Sequence, residues 1–149
     1  MYKHILIATD GSDLSDKGID HGLALAKSLG AAVTVVTVTA NEIMPYSQMT
    51  EEIRRGNNPL EMVRAAMEKE ASGILDAASE KARAAGVEIK TLHIPERHAA
   101  EGILEAAREN NCDVIIMSSH GRRGLRRLML GSQTAEVVTT GTIPVLVIR

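Results

Sequence analysis

The residues in this chain best suited to chemistry lie between Met117 and Thr134, in the run Met117-Ser118-Ser119-His120-Gly121-Arg122-Arg123-Gly124-Leu125-Arg126-Arg127-Leu128-Met129-Leu130-Gly131-Ser132-Gln133-Thr134. The run leaves an apolar segment, passes three glycines and four arginines, and enters a helix-period segment at Gly131-Ser132. Glycines let backbone N–H groups approach an anion closely. A helix start adds unpaired donors and the positive end of a dipole, and the hydroxyls of Ser132 and Thr134 can donate as well. Four like charges within six residues repel one another unless an anion is near, which favours phosphate contact for at least one, Arg122 or Arg123 foremost. Together these parts describe a phosphate cradle. They also describe a solvated loop followed by an ordinary Ser N-cap, and local physics alone does not separate the two. Neither of the stronger phosphate signatures is present: there is no G-x-x-x-x-G-K-[ST], and no two glycines stand at i, i+2.

The elements that must position this run read as alternating strands and helices. His4 to Thr9 is an apolar strand. Ser12 then stands as an N-cap, with Asp13 and Asp16 in the first turn where the helix dipole favours negative charge. Leu14, Ile19, Leu23, Ala26 and Leu29 give that helix one apolar face, and Gly30 occupies the left-handed C-cap position. Val33 to Val38 is a second, β-branched strand. The polar stretch from Ala40 to Pro59 is long for a connection inside one domain, and reads as a lid, a partner surface or a partly helical segment. A long helix from Leu60 to Ala85 carries Val63, Met67, Ala71, Ile74, Ala78 and Ala82 on one stripe and ends at Gly86. Val87 to Ile94 is a more polar strand, as an edge strand would be. Ala99 to Asn110 is a helix, Asp113 to Met117 a short strand, Ser132 to about Gly141 a helix, and Pro144 to Ile148 a last strand.

Strands separated by helices run parallel, with right-handed crossovers that lay helices on the sheet faces. The expectation is one domain over residues 1–149 with a doubly wound α/β fold, whose ligands bind beyond the carboxyl ends of the strands where strand order reverses. The places to look are Ala8-Thr9-Asp10-Gly11, Val38-Thr39 and Ser118-Ser119-His120-Gly121. Strand order itself is not readable from the pattern.

Composition narrows the function. The chain has no Phe, no Trp and only Tyr2 and Tyr46, so it offers almost nothing on which to stack nucleobases. With a net charge of −2 it has no overall basic bias, and nucleic acid is disfavoured as a partner. Cys112 is the only cysteine, which rules out an internal disulfide and a cysteine-based zinc site. The histidines show no metal spacing, and no G-x-S-x-G elbow activates a serine. The short apolar run at the N-terminus does not suit a signal peptide, and no stretch approaches the roughly 20 apolar residues that span a bilayer. The expected setting is cytoplasmic, with no membrane.

The run around Gly121 resembles the nucleotide-binding signature of the universal stress protein family, G-x2-G-x9-G-[ST], as Ser118-x2-Gly121-x9-Gly131-Ser132. Ser118 departs from the pattern, which has glycine there, and its Cβ disfavours positive φ. The resemblance extends through Ile5-Leu6-Ile7-Ala8-Thr9-Asp10-Gly11-Ser12, Gly102-Ile103-Leu104-Glu105-Ala106-Ala107, Cys112-Asp113-Val114-Ile115-Ile116-Met117 and Ile143-Pro144-Val145-Leu146-Val147. It implies strand order 3-2-1-4-5, which sets the reversal between Asp10 and Ser118. It further implies that Asp10 stands at the position associated with the nucleotide and its divalent metal, and Val38 at the position lining an adenine pocket. Asp10 has a plainer reading as the closure of the turn before the first helix. A carboxylate beside a polyphosphate calls for a cation between them, here Mg²⁺ or Mn²⁺. His120 lies inside the signature, placed either to touch the nucleotide or to orient the loop.

The expected function is ATP binding in stress response or signalling, with Ala8, Thr9, Asp10, Val38, Ser118, His120, Gly121, Arg122, Arg123, Gly124, Gly131, Ser132, Gln133 and Thr134 around the nucleotide. No positioned base for water attack can be named, so hydrolysis is expected to be slow or absent. The last strand, Val145 to Ile148, would be an exposed pairing template at a sheet edge, and the expectation is a homodimer through it, which the resemblance also implies. The rival reading is a dimeric interaction module of the same fold without nucleotide. A receiver-type phosphoacceptor is disfavoured, because the ends of the third and fifth strands hold His93-Ile94-Pro95 and Ile148-Arg149 in place of an aspartate and a lysine.

Overall fold

A computed structural model describes residues 1–40, 42–121 and 130–149. Strand β1 (His4–Ala8) leads into helix α1 (Asp13–Leu29) and strand β2 (Ala32–Val38). Helices α2 (Tyr46–Arg54) and α3 (Pro59–Ala85) follow, then β3 (Ile89–Ile94), α4 (Ala99–Glu109), β4 (Val114–Ser118), α5 (Ser132–Thr140) and β5 (Val145–Ile148). The sheet has the order β3-β2-β1-β4-β5, with every neighbouring pair parallel, as the resemblance implied. Order therefore reverses beside β1, which pairs with β2 on one side and β4 on the other.

Period-two alternation splits the core into two layers. Ile5, Ile7, Val33, Val35, Val114 and Ile116 face α1 and α3, meeting Ile19, Leu23, Ala26, Leu75, Ala78 and Ala82. Leu6, Ala8, Val36, Ile115 and Met117 face α4 and α5, meeting Ala100, Ile103, Ala106, Ala107 and Val137. All of this packing is aliphatic, with Met and one Cys as gap fillers.

The local stop and start signals act as the sequence suggests. The Ser12 hydroxyl accepts from the Ser15 N–H at 3.2 Å, and Gly30 closes α1 at φ 64°. Gly86 closes α3 at φ 71°. Asn58 caps α3 through its carbonyl oxygen, which accepts from Leu60 N–H at 3.1 Å, so the helix begins at Pro59. Within the long connection after β2, Tyr46–Arg54 is helical with no buried residue, so the partly helical reading holds for that part. Two face assignments shift. Leu29 is exposed at the end of α1, and Leu75 takes the buried place expected of Ile74. In a helix as long as α3 a strict stripe drifts away from the sheet, so the neighbouring position takes over.

Burial, and after it the nearby Asp113 carboxylate, pushes the Cys112 thiol up from its ordinary value to about 11. The sign follows from linkage. A thiol whose pKa is raised on folding adds stability below its ordinary value of 9.0, and that contribution fades as pH climbs toward about 11. At pH 8 the native protein should resist Ellman's reagent and react on addition of urea. Rapid labelling of native protein at that pH would contradict the buried placement.

Two glycines inside helices should respond to substitution in opposite ways. A Cβ on Gly73 meets nothing within 4 Å, whereas one on Gly102 would stand 2.8 and 2.9 Å from the Val38 methyls. Gly73→Ala should stabilise by roughly 0.5–1 kcal/mol. Gly102→Val should destabilise by about 1–3 kcal/mol through overpacking against a stiff β-branched side chain. Urea midpoints measure both, and equal shifts of one sign would refute the packing.

Candidate functional site

Because order reverses at β1, the chain leaving β1 passes to α1 on one face and the chain leaving β4 passes to α5 on the other. In folds of this kind the crevice that receives ligands lies at the carboxyl ends of the strands where order reverses, here β1 and β4. The first wall is Thr9 to Ser12. Thr9 is buried, its N–H donates to the Val36 carbonyl at 3.0 Å, and its hydroxyl meets the Ser15 hydroxyl at 3.0 Å. Asp10 Oδ1 accepts from the Ser12 N–H at 3.0 Å, an Asx turn that fixes the carboxylate at the head of α1. Its other oxygen, Oδ2, lies 2.7 Å from where a Cβ on Gly121 would stand. A side chain at Gly121 would displace that carboxylate oxygen, so the chain after β4 passes close to the end of β1 here.

The second wall begins at Ser118, the last residue of β4, which is buried and aligned with Ile148 of β5. The positive-φ non-glycine residues among those described are Glu96 and Asn111. Ser118 is not one of them, so its backbone meets no obstacle from the Cβ that distinguishes it from glycine. Its hydroxyl donates to the His120 carbonyl at 2.7 Å. Two bonds then fasten the far end of the loop to this strand. The Gly131 N–H donates to the Ser119 carbonyl at 2.8 Å, and the buried Thr134 hydroxyl donates to the Ser118 carbonyl at 2.9 Å. A Cβ on Gly131 would stand 3.2 Å from the Ser119 carbonyl oxygen, so the approach is close here too.

Two polar features mark this end of the sheet, the start of α5 and the His120 ring. Gly131 occupies the N-cap of α5 and supplies no side chain to satisfy the helix N–H groups, while Ser132 is exposed beside it. His120 Nδ1 lies 2.8 Å from the Ser119 hydroxyl, and its buried Nε2 has no hydrogen-bond partner. A buried ring nitrogen without a partner is costly in a native protein and calls for an explanation.

The structure thus brings Ala8, Thr9, Asp10, Ser118, His120, Gly121, Gly131, Ser132 and Thr134 to one end of the sheet, at β1, β4 and the start of α5. Thr134 is there as a fastener, its hydrogen committed to Ser118. Val38 ends β2 on the same side of the sheet and packs its methyls on Gly102 of α4. Gln133 is drawn toward α4, where its carbonyl oxygen accepts from Ala100 N–H at 2.9 Å. Arg122, Arg123 and Gly124 lie outside the described residues. Sequence reasoning included Ser119 in a segment to look at but gave it no role; it is buried, anchors Gly131 through its carbonyl and holds His120. The anchoring bond joins residues twelve positions apart, so no local pattern marks it. Among the described residues, no three His, Cys, Asp or Glu side chains converge to hold a metal ion by themselves. No described helix is long and apolar enough to cross a membrane.

Comparison with known proteins agrees with this architecture. A sequence model of the universal stress protein family matches residues 1–149. The universal stress protein YxiE of Bacillus subtilis is 34% identical over 149 residues, covering 100% of both chains. Among solved structures, the hypothetical protein MJ0577 of Methanocaldococcus jannaschii superposes with a TM-score of 0.79 at 24% identity, covering 99% of this chain and 96% of that one. A universal stress protein from Archaeoglobus fulgidus, in complex with dAMP, superposes with a TM-score of 0.69 at 18% identity, covering 99% and 98%.

Proposed function

The chain belongs to the universal stress protein family, and from that premise we propose that it binds an adenine nucleotide, ATP with Mg²⁺ or Mn²⁺, between the ends of β1 and β4. The observation that carries this reading is the pairing of an α5 start without a side-chain cap and a buried, unpartnered His120 Nε2 at one end of the sheet. Both call for a polar ligand, and a helix start favours an anionic one. The Archaeoglobus fulgidus protein of the same fold, in complex with dAMP, supports an adenine nucleotide as that ligand.

In this reading adenine lies near Val38 and Ala8, the ribose near Ser118, and the phosphates against Gly121, Gly131, Ser132 and the arginines of the loop. Asp10, held by the Ser12 N–H beside Gly121, is the residue that would hold a divalent cation. The cation would supply charge neutralisation between carboxylate and phosphate. The chain's own residues supply position: Gly131 and Thr134 are fastened to Ser119 and Ser118, which fixes the start of α5 against β4. The role in this reading is cytoplasmic nucleotide binding or switching in stress response, with slow hydrolysis at most. The homodimer belongs to the same reading. β5 is an edge strand with Leu146 42% exposed, a surface that antiparallel pairing with a second copy would cover.

Calorimetric titration with Mg-ATP should give saturable heat. Asp10→Ala and Gly131→Val should each weaken binding by roughly 5- to 100-fold, the loss of about 1–3 kcal/mol, with far-UV circular dichroism unchanged. Unaltered affinity in both variants would move the pocket elsewhere. Absence of both heat and thermal shift at millimolar nucleotide would favour the dimeric interaction module instead. Sedimentation velocity at micromolar concentration should show a dimer that Leu146→Lys dissociates, and a wild-type monomer would remove the β5 pairing.

A further inference from the structure

Beside the start of α5, two side chains converge on a single imidazole nitrogen. His98, the N-cap residue of α4, places Nε2 3.1 Å from Glu136 Oε2 and 3.2 Å from Gln133 Nε2. The orientation of the Gln133 amide is settled by Ala100, whose N–H donates to Oε1 at 2.9 Å, so the NH₂ group is the one that faces the ring. The two contacts make opposite demands. To accept from Gln133, Nε2 must present its lone pair; to donate to Glu136, it must carry a hydrogen. One nitrogen cannot do both.

We propose that His98, Gln133 and Glu136 form a proton-operated latch between the start of α4 and the first turn of α5. In the neutral state the ring hydrogen sits on Nδ1, Nε2 accepts from Gln133, and the amide bridges the two helices through Ala100 and His98. Uptake of one proton from solvent places a hydrogen on Nε2. The ring then donates to the Glu136 carboxylate, which balances the new charge, and the Gln133 NH₂ loses its acceptor. Imidazole is the side chain suited to making this change near neutral pH. The other charged groups beside the ring in sequence are Glu101, in the first turn of α4, and Arg97, which is turned toward Glu105 at 3.6 Å. Glu136 is the carboxylate within hydrogen-bond reach.

The latch acts where it matters for the crevice, because Gln133 adjoins Ser132 in the first turn of α5. Closed, it holds the donors of that turn in place; open, it removes one of the two polar contacts that tie Gln133 to α4. This consequence rests on the nucleotide reading, whereas the latch itself does not.

Nitrogen-15 NMR of the full chain between pH 5.5 and 8.5 tests the latch without nucleotide. At the alkaline end the His98 ring should be the Nδ1–H tautomer, and the Gln133 side-chain and Ala100 backbone amide signals should move with the ring as it protonates. His98→Ala should abolish that movement. An Nε2–H ring at high pH, or amide signals indifferent to the ring, would overturn the proposal. Mg-ATP calorimetry at pH 6 and pH 8 tests the coupling: affinity should fall at the lower pH by roughly two- to fivefold more in the wild type than in His98→Ala, the scale of one exposed hydrogen bond. Equal ratios in the two proteins would overturn the coupling. Absence of binding at both pH values would instead defeat the nucleotide reading, while the NMR result stands on its own.

Discussion

Parallel pairing of β1 with both β2 and β4 is the constraint on which the rest of the molecule depends. Parallel neighbours need crossovers, and right-handed crossovers on either side of β1 send α1 to one face of the sheet and α5 to the other. Two loops that must depart in opposite directions cannot fill the space between them. The crevice is therefore a by-product of topology, and any sequence that satisfies the two aliphatic layers inherits it.

What this chain adds to the inherited crevice is backbone proximity. Gly121 lies against the Asp10 carboxylate and Gly131 against the Ser119 carbonyl, so both ends of the loop are drawn tightly onto the sheet. In the absence of Phe and Trp, the groups this end of the sheet offers are main-chain donors, hydroxyls and one imidazole. Such a set suits anionic shape more than ring stacking. Ser118 fits that economy: in extended backbone it keeps the loop anchored and turns its hydroxyl inward to the His120 carbonyl.

Legibility in the sequence follows the range of the interactions. Ser12, Gly30 and Gly86 were readable as caps because a cap is made by residues a few positions apart. The crevice-lining segments were readable because strand ends in an α/β pattern gather on one side of the sheet. Strand order was not, since nothing local distinguishes β4 from β2 as a neighbour of β1; only the resemblance supplied it. Tyr46–Arg54 escaped firm assignment because a helix with no buried residue leaves no apolar stripe to read. Gln133 stands in the signature run but serves α4, through a bond to Ala100 that spans 33 positions. The substitution of Leu75 for Ile74 in the core is of the same kind, since which of two adjacent apolar residues faces inward depends on where the helix lies over the sheet.

The fastening of the loop at Ser118, Ser119, Gly131 and Thr134 has an evolutionary corollary. A segment whose two ends are clamped by backbone and hydroxyl bonds is an interchangeable cassette: its sequence can diverge while the scaffold beneath it keeps its free energy. Descendants of such a scaffold can therefore acquire or lose a ligand by rewriting a few positions between the clamps and leave the folding problem solved.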